Sequence, residues 1–170
     1  MAALIVGIWV VLSSPASGLE AGVASVDVTP EEPVPVTGGL GKPKPTTEIK
    51  GRLEVRALVL ADGDTRVAIV SVPFIGFPAA LIDQVRAEVK SVPGPNIMVG
   101  STHTHSAPDM YGFLDEDGEC TADLEYVKQA CRATVKAIEA AAADLSPVSL
   151  KVATDEAAER IAYNYYAPEL

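Results

Sequence analysis

The sequence predicts a mixed α/β fold, an α+β arrangement in which two main amphipathic helices pack against a mixed sheet. Three observations lead to this prediction. Two apolar runs flank Asp62 and Gly63, which is the pattern of a β-hairpin. Apolar residues then recur at helical spacing in two stretches, 78–92 and 121–145. A short apolar run at 96–100 lies between these stretches, so the hairpin, the first helix and this run predict a strand-helix-strand crossover.

The composition is that of one folded domain with an acidic surface. The chain has 170 residues, of which 48% are hydrophobic and 21% are charged, and its formal net charge is -10 at pH 7. A chain of this length is typical of a single domain with its own core. Nucleic acid is excluded as a main partner because its binding needs a basic face.

The first residues are typical of a secretory signal peptide. Residues 2–12 are apolar, and small residues follow, with Ala16 and Gly18 at the positions that signal peptidase requires to be small. The apolar run is shorter than the roughly 20 residues that a membrane-spanning helix needs. We therefore expect residues 1–18 to be a signal peptide and residues 19–170 to form the folded part. The expected location is secreted, periplasmic or extracellular.

The residues before the hairpin predict one strand and one long loop. Apolar and polar residues alternate over 21–28, which is typical of a strand. Residues 31–51 are rich in proline and glycine and predict a long ordered loop. Gly38 begins a glycine cluster that lacks the strand-to-helix context of a nucleotide-binding loop, so we interpret these residues as turn glycines.

The two predicted helices end at prolines. The first helix, over 78–92, is followed by the Pro-Gly-Pro sequence at 93–95. The second helix, over 121–145, carries Asp123 in its first turn, where the helix dipole favours acidic side chains. The segment VSLKVAT at 148–154 then predicts a last strand.

Both histidines lie in one short segment, STHTHSAPD at 101–109, directly after the predicted strand at 96–100. Residues two apart on an extended chain point to the same side, with Cα atoms about 6.6 Å apart, so His103 and His105 can converge on one point. Imidazole nitrogens bind zinc at about 2.0 to 2.1 Å. The residues alone leave two interpretations open. The pair forms a metal or substrate site at a strand end, or it satisfies backbone groups where the strand ends.

The other elements of a zinc site are not obvious in the sequence. A catalytic zinc site needs about three protein ligands. Asp109 and the acidic stretch at 115–119 follow the histidines, but an acidic run is more typical of a solvated loop. The sequence contains no G-x-S-x-G, H-E-x-x-H or C-x-x-C signature.

Four segments together resemble the N-terminal part of the catalytic domain of the neutral/alkaline non-lysosomal ceramidase family. AGVASVDVTP resembles the opening strand of that family, and VRALVL resembles its early arginine-containing strand. VAIVSVPFIGFP resembles the strand before its first helix, and GSTHTHSAPD resembles its T-H-T-H-S-G-P signature. The matches follow the order of the family over about residues 20–170, and the last one is the most specific.

The resemblance implies a zinc-dependent hydrolase that cleaves the N-acyl amide bond of ceramide, or of a related lipid amide. It implies that His103 is a metal ligand and that His105 is a catalytic residue beside the substrate. Zn²⁺ would polarise the amide carbonyl or lower the pKa of a bound water, and a neutral His105 would pass a proton or hold the oxyanion. The implied partner is a ceramide-like lipid, with peripheral membrane contact through that substrate.

The resemblance also implies an incomplete domain. The remaining zinc ligands of the family, a histidine, a glutamate and a tyrosine, lie downstream of the matching region, and this chain has no third histidine. We therefore expect residues 19–170 to be an N-terminal fragment of a ceramidase-like catalytic domain that is inactive alone. Pro73, Ala107 and Tyr165 stand where the family has an aspartate, a glycine and an arginine, which leaves another amide or ester substrate open.

Two other functions fit the histidine pair. A divalent-metal hydrolase of the amidohydrolase or PHP type also places H-x-H at a strand end, but usually on the first strand of its barrel. In this chain several predicted strands and a helix precede the pair. The other alternative is a secreted binding module without catalysis, in which the histidines only cap a strand.

Overall fold

The structure of the chain is a computed structural model that describes residues 18–38, 44–114 and 117–153. In chain order the strands are β1 (Glu20–Asp27), β2 (Pro35–Thr37), β3 (Lys44–Pro45), β4 (Glu54–Asp62), β5 (Thr65–Val72), β6 (Ile97–Ser101), β7 (Ala107–Pro108) and β8 (Ser146–Pro147). The α-helices are α1 (Ala79–Glu88) and α2 (Leu124–Ala143). Tyr165 and nearly all of the predicted signal peptide lie outside the described residues, so the expectations about them stay predictions.

The strands form two sheets, and the larger one confirms the predicted mixed sheet. Its order is β6-β5-β4-β1-β8, with β5 and β6 parallel and the other neighbours antiparallel. The β4–β5 pair is the predicted hairpin, and β5, α1 and β6 form the predicted crossover. The smaller sheet is antiparallel and has the order β3-β2-β7. Over the described residues neither sheet closes into a barrel.

The core lies between the larger sheet and its helices. Val55, Ala57 and Val59 alternate along β4 and are buried, as are alternate residues of β5. The long helix α2 packs across β1 and β4 and also contacts α1. Gly22 of β1 lies directly against α2, and a methyl group at this position would overlap the Ala141 carbonyl oxygen. The helices therefore occupy one face of the sheet.

The first helix is shorter than its apolar pattern predicts, because a long-range contact ends it. The carboxylate of Glu139 on α2 accepts the main-chain N–H groups of Lys90 at 2.6 Å and Ser91 at 3.2 Å. Val89 is already in an extended conformation. These N–H groups thus find their acceptor outside α1, and residues 90–92 leave the helix although Val92 stays buried.

The second helix begins later than predicted, at a side-chain cap. Asp123 Oδ1 accepts the main-chain N–H groups of Glu125 at 3.0 Å and Tyr126 at 2.9 Å, which is the usual N-cap arrangement. The apolar residues at helical spacing within 121–145 include Cys131 and Ile138, which are buried as this spacing predicts, whereas Leu124 is 57% exposed. Tyr126 is also buried, and its hydroxyl donates to the Val28 carbonyl at 2.7 Å.

Two predictions about the connecting segments were wrong. The prolines and glycines of 31–51 predicted a loop only, but this stretch contributes β2 and β3. Pro35 lacks an N–H group, yet its carbonyl still accepts from Asp109 N at 2.9 Å. The strand predicted at 148–154 is not formed over residues 148–153, and β8 lies just before it, because antiparallel pairing runs past the start of β1. After Glu20↔Pro147 there is one further bond, Val148 N to Leu19 O.

No helix in the described ranges has the length and apolar character to cross a bilayer.

Candidate active site

The two histidines lie on the connection between the two sheets. Residues 102–106 leave β6, the edge strand of the larger sheet, and lead into β7 of the smaller one. Thr102 N donates to the Val72 carbonyl at 3.0 Å, and His103 N donates to the Phe74 carbonyl at 3.0 Å. These bonds extend the β5–β6 pairing by a short distance. The segment then turns toward the smaller sheet.

His103 has a left-handed backbone conformation, with φ of 60°. The extended geometry predicted for this segment is therefore wrong at this residue, although histidine tolerates positive φ better than most side chains do. The Nδ1 atom lies 2.6 Å from the carbonyl oxygen of Ile75. Phe74 and Phe77 are buried in the core and hold the Ile75 segment in place, with ring centroids 6.0 Å apart.

His105 is held by the smaller sheet instead. Its Nδ1 atom lies 2.6 Å from the carbonyl oxygen of Gly38, which directly follows β2. A Cβ atom on Gly38 would lie 2.5 Å from His105 Cβ and 2.8 Å from its Cα, and the φ of Gly38 is +156°. The interpretation of Gly38 as a turn glycine is thus incomplete. A glycine is required here because the backbone directly after β2 is in contact with His105.

The hydrogen bonds determine which ring nitrogen of each histidine is free. A carbonyl oxygen only accepts, so Nδ1 of His103 and of His105 must carry the hydrogen. In the neutral ring Nε2 then has the lone pair. The ring centroids are 5.1 Å apart with an angle of 79° between the planes, and both residues are exposed. The two rings are therefore direct neighbours, as the spacing of the residues predicts.

This donor set fits a zinc ion in part. Histidine ligands usually donate their second N–H to a carbonyl or carboxylate, which fixes the ring and makes it more basic. His103 and His105 both have such a bond. A catalytic zinc ion takes about three protein ligands. Among residues 18–38, 44–114 and 117–153, no three His, Cys, Asp or Glu side chains come together as a metal-binding group.

Asp109 is the carboxylate that follows the histidines most closely, and its contacts indicate a structural role. It is buried, with 1% of its surface exposed. Its Oδ1 accepts from Tyr111 N at 2.9 Å, and its Oδ2 accepts from Thr121 Oγ1 at 3.0 Å. Both oxygens therefore hold the loop before α2. Part of the acidic stretch, residues 115 and 116, lies outside the described ranges.

A cleft of about 540 Å³ opens beside His105. Its walls come from three segments, at 29–36, 46–53 and 104–108. A larger concavity of about 820 Å³ lies on the sheet face opposite the helices, but neither histidine lines it. Because chemistry at His105 requires a bound molecule next to the ring, the smaller cleft is the relevant one.

An ion pair fixes one wall of this cleft. Arg52, a lining residue, donates from Nη2 and Nε to Asp27 Oδ2 at 2.6 and 2.9 Å. Hydrogen bonds from the side chain and the main-chain N–H of Thr29, and after them the bond from Arg52, together lower the pKa of Asp27 to about 2. Thr29 Oγ1 also accepts from Leu53 N at 2.9 Å. Thr29 therefore links the end of β1 to the residue that precedes β4.

Replacing Thr29 with valine is expected to raise the pKa of Asp27 from about 2 toward its ordinary value of 3.8. The folded-state pKa is depressed, so the ionised carboxylate stabilises the fold above pH 3.8, and this contribution is lost as the pH falls toward 2. A carboxyl-carbon NMR titration measures the pKa directly. Arg52→Gln is the comparison variant and should raise it by less. A pKa that stays at about 2 in Thr29→Val contradicts the assignment.

The sequence identified the histidines but not the groups that orient them. Gly38 and Ile75 act through carbonyl oxygens, which every residue has, and they lie 67 and 28 positions from their histidines. The glycine cluster was the one available signal, and only the fold shows why its first member is needed.

Comparison with known proteins gives matches to solved structures. No protein-family profile and no curated protein sequence matches the chain. The crystal structure of neutral ceramidase from Pseudomonas aeruginosa matches with a TM-score of 0.63 and 25% identity, over 77% of this chain and 22% of that one. A structure of ceramidase complexed with C2 matches with a TM-score of 0.59 and 25% identity, over the same shares. The chain thus spans about a fifth of the length of these ceramidases, and its fold is ceramidase-like.

Proposed function

We propose that this chain supplies part of the active site of a zinc-dependent hydrolase that cleaves the N-acyl amide bond of ceramide or of a related lipid amide. The observation that carries the proposal is the orientation of His103 and His105, each of which directs Nδ1–H to a backbone carbonyl and leaves Nε2 for a metal or a proton. The similarity of the fold to ceramidases supports it. In this proposal, a longer natural protein supplies the remaining zinc ligands downstream of these residues.

His103 is the zinc ligand in this proposal. Its main-chain N–H and its Nδ1–H bind the consecutive carbonyls of Phe74 and Ile75, so the position of Nε2 is fixed relative to β5. Bound zinc would polarise the amide carbonyl and lower the pKa of a coordinated water. Further protein ligands are needed to reach the three that a catalytic zinc site has.

His105 transfers protons in this proposal. With its hydrogen on Nδ1, the neutral ring has a lone pair on Nε2 and accepts a proton from the attacking water. The protonated ring keeps its bond to the Gly38 carbonyl, and Nε2–H then donates to the leaving amine nitrogen. A neutral His105 has no hydrogen on Nε2 and cannot donate to an oxyanion. The geometry therefore favours proton transfer over the alternative role that the sequence left open.

Hydrolysis of N-hexadecanoylsphingosine by the natural full-length protein tests this function. We expect His105→Gln to lower kcat by about 10² to 10⁴-fold with little change in KM, because the variant loses proton transfer but not binding. Lys136→Ala, on the exposed side of α2, is the control and should keep wild-type values. A wild-type protein that releases no fatty acid, or a His105→Gln variant with wild-type kcat, contradicts the proposal.

A further inference from the structure

The two carbonyls that hold His103 lie on a segment without regular secondary structure. Residues 73–78 connect β5 to α1, and each of them is described as lying outside any helix or strand. The Phe74 carbonyl accepts from His103 N at 3.0 Å, and the Ile75 carbonyl oxygen lies 2.6 Å from His103 Nδ1. Because neither carbonyl belongs to a helix or a strand, its position depends on the side chains packed around the segment.

Tyr111 packs on the residue that follows Ile75. Gly76 is buried, and a Cβ atom added there would overlap Tyr111 Oη and lie 2.6 Å from its Cζ and 2.9 Å from its Cε2. These three atoms are the nearest neighbours of that position, so the phenol ring lies directly against Gly76. Phe74 and Phe77 anchor the same segment in the core, whereas Tyr111 remains 48% exposed and covers it at the surface.

A buried carboxylate fixes Tyr111 in turn. Asp109 has 1% of its surface exposed, and its Oδ1 accepts the main-chain N–H of Tyr111 at 2.9 Å. The main-chain N–H of Asp109 donates to the Pro35 carbonyl of β2, also at 2.9 Å. The ring of Tyr111 stacks on Phe113, with centroids 5.4 Å apart and 18° between the planes. The ring that covers Gly76 is therefore attached to the smaller sheet and has a defined orientation.

We propose that Tyr111 is a positioning residue for His103 and acts through the main chain of Gly76 and Ile75. This inference rests on the proposed function, in which His103 binds zinc. The phenol ring keeps the Ile75 carbonyl where it accepts Nδ1–H, and this bond gives the lone pair of Nε2 a fixed direction. His105 is independent of Tyr111, because the Gly38 carbonyl holds its ring.

The zinc affinity of the natural full-length protein, measured by competition with a chelator, tests the proposal. We expect Tyr111→Ala to weaken zinc binding about tenfold, the lower end of the usual effect of losing a group that orients a metal ligand. Tyr111→Phe keeps a ring over Gly76 and should have wild-type affinity. Leu114→Ala is the control, because it removes a side chain that is 71% exposed from the same loop, and it should also bind zinc like the wild type. An unchanged affinity in Tyr111→Ala, or an equal loss in Tyr111→Phe, overturns the proposal.

Nitrogen NMR of the imidazoles distinguishes positioning of one ring from a general loss of structure. The measurement uses the zinc-free full-length protein, so it does not depend on metal binding. We expect Tyr111→Ala to shift the Nδ1 and Nε2 signals of His103 and to leave those of His105 unchanged. Equal shifts in both rings, or no shift in His103, overturn the positioning role.

Gly76→Ala tests the same contact from the main chain. Its added Cβ overlaps the phenol ring, so zinc binding should weaken. The double variant Gly76→Ala/Tyr111→Ala should recover part of this loss, because the three atoms nearest to the added Cβ all belong to Tyr111. Losses that add in the double variant show that the two residues act independently and overturn the proposal.

These measurements also separate the positioning role from the proposed function. A wild-type protein that binds no zinc rejects the proposed function, whereas a His103 signal that responds to Tyr111→Ala still supports positioning of the ring. Zinc binding and hydrolysis by the wild type, together with wild-type zinc affinity and an unchanged His103 signal in Tyr111→Ala, reject the positioning role and keep the function.

Discussion

Gly22→Ala should lower the free energy of unfolding by about 3 kcal/mol, which is the upper part of the usual range for overpacking a core. The added methyl group would overlap the carbonyl oxygen of Ala141, a main-chain atom of α2 that cannot rotate away. The helix must then move off β1, and the contacts that bury the core weaken. Urea unfolding followed by circular dichroism measures the change, and the midpoint should fall while the slope stays similar.

Gly100→Ala is the matched control for this prediction. Gly100 is a strand glycine of the same sheet, but the nearest atom to an added Cβ is the Val70 carbonyl oxygen at 4.0 Å. Alanine fits this space and should change the stability little. Equal stability of Gly22→Ala and Gly100→Ala would show that α2 does not pack against β1 as closely as the structure has it.

Gly38→Ala should lower hydrolysis by the full-length protein about 10- to 100-fold, the usual cost of losing a group that orients an active-site side chain. The added Cβ would lie 2.5 Å from His105 Cβ, so His105 must move away from the Gly38 carbonyl. Zinc content should not change, because Gly38 holds His105 and not His103. Nitrogen NMR of the imidazole should show that His105 no longer keeps its hydrogen on Nδ1.

The control for Gly38→Ala is again Gly100→Ala. Gly100 does not line the cleft beside His105, and the nearest atom to an added Cβ there lies 4.0 Å away. This variant should keep both the activity and the His105 signal. If Gly38→Ala leaves the NMR signal of His105 unchanged, the carbonyl of Gly38 does not orient the ring, and the proton-transfer role loses its structural basis.

The fold was predictable where the pattern is local. The hairpin at Asp62 and Gly63, the crossover through α1 and the long helix α2 all follow from turn residues and apolar periodicity, and they are confirmed. The errors lie where a residue distant in the sequence determines where a helix or strand ends. Glu139 ends α1 from another helix, and the start of β1 limits β8. The apolar periodicity within α1 or within the segment of β8 does not indicate these distant contacts.

The site was predictable only in part for the same reason. Two histidines in one segment at a strand end indicated a common site, and their rings are neighbours with centroids 5.1 Å apart. The extended backbone used to predict this was wrong at His103, which reaches the same result through a left-handed conformation. Gly38 and Ile75, which select the ring nitrogens, act through their carbonyls across the fold, so the glycine cluster was the only signal in their residue types.

The zinc content of the natural full-length protein tests the central claim most directly. It is measured by elemental mass spectrometry of the purified protein. We expect one zinc ion per chain in the wild type and in His105→Gln, and less than a tenth of this in His103→Asn. Asparagine is the appropriate replacement because it tolerates the positive φ of residue 103, so the backbone is kept while the imidazole is lost. A wild-type protein without zinc, or a His103→Asn variant that retains it, would contradict the account.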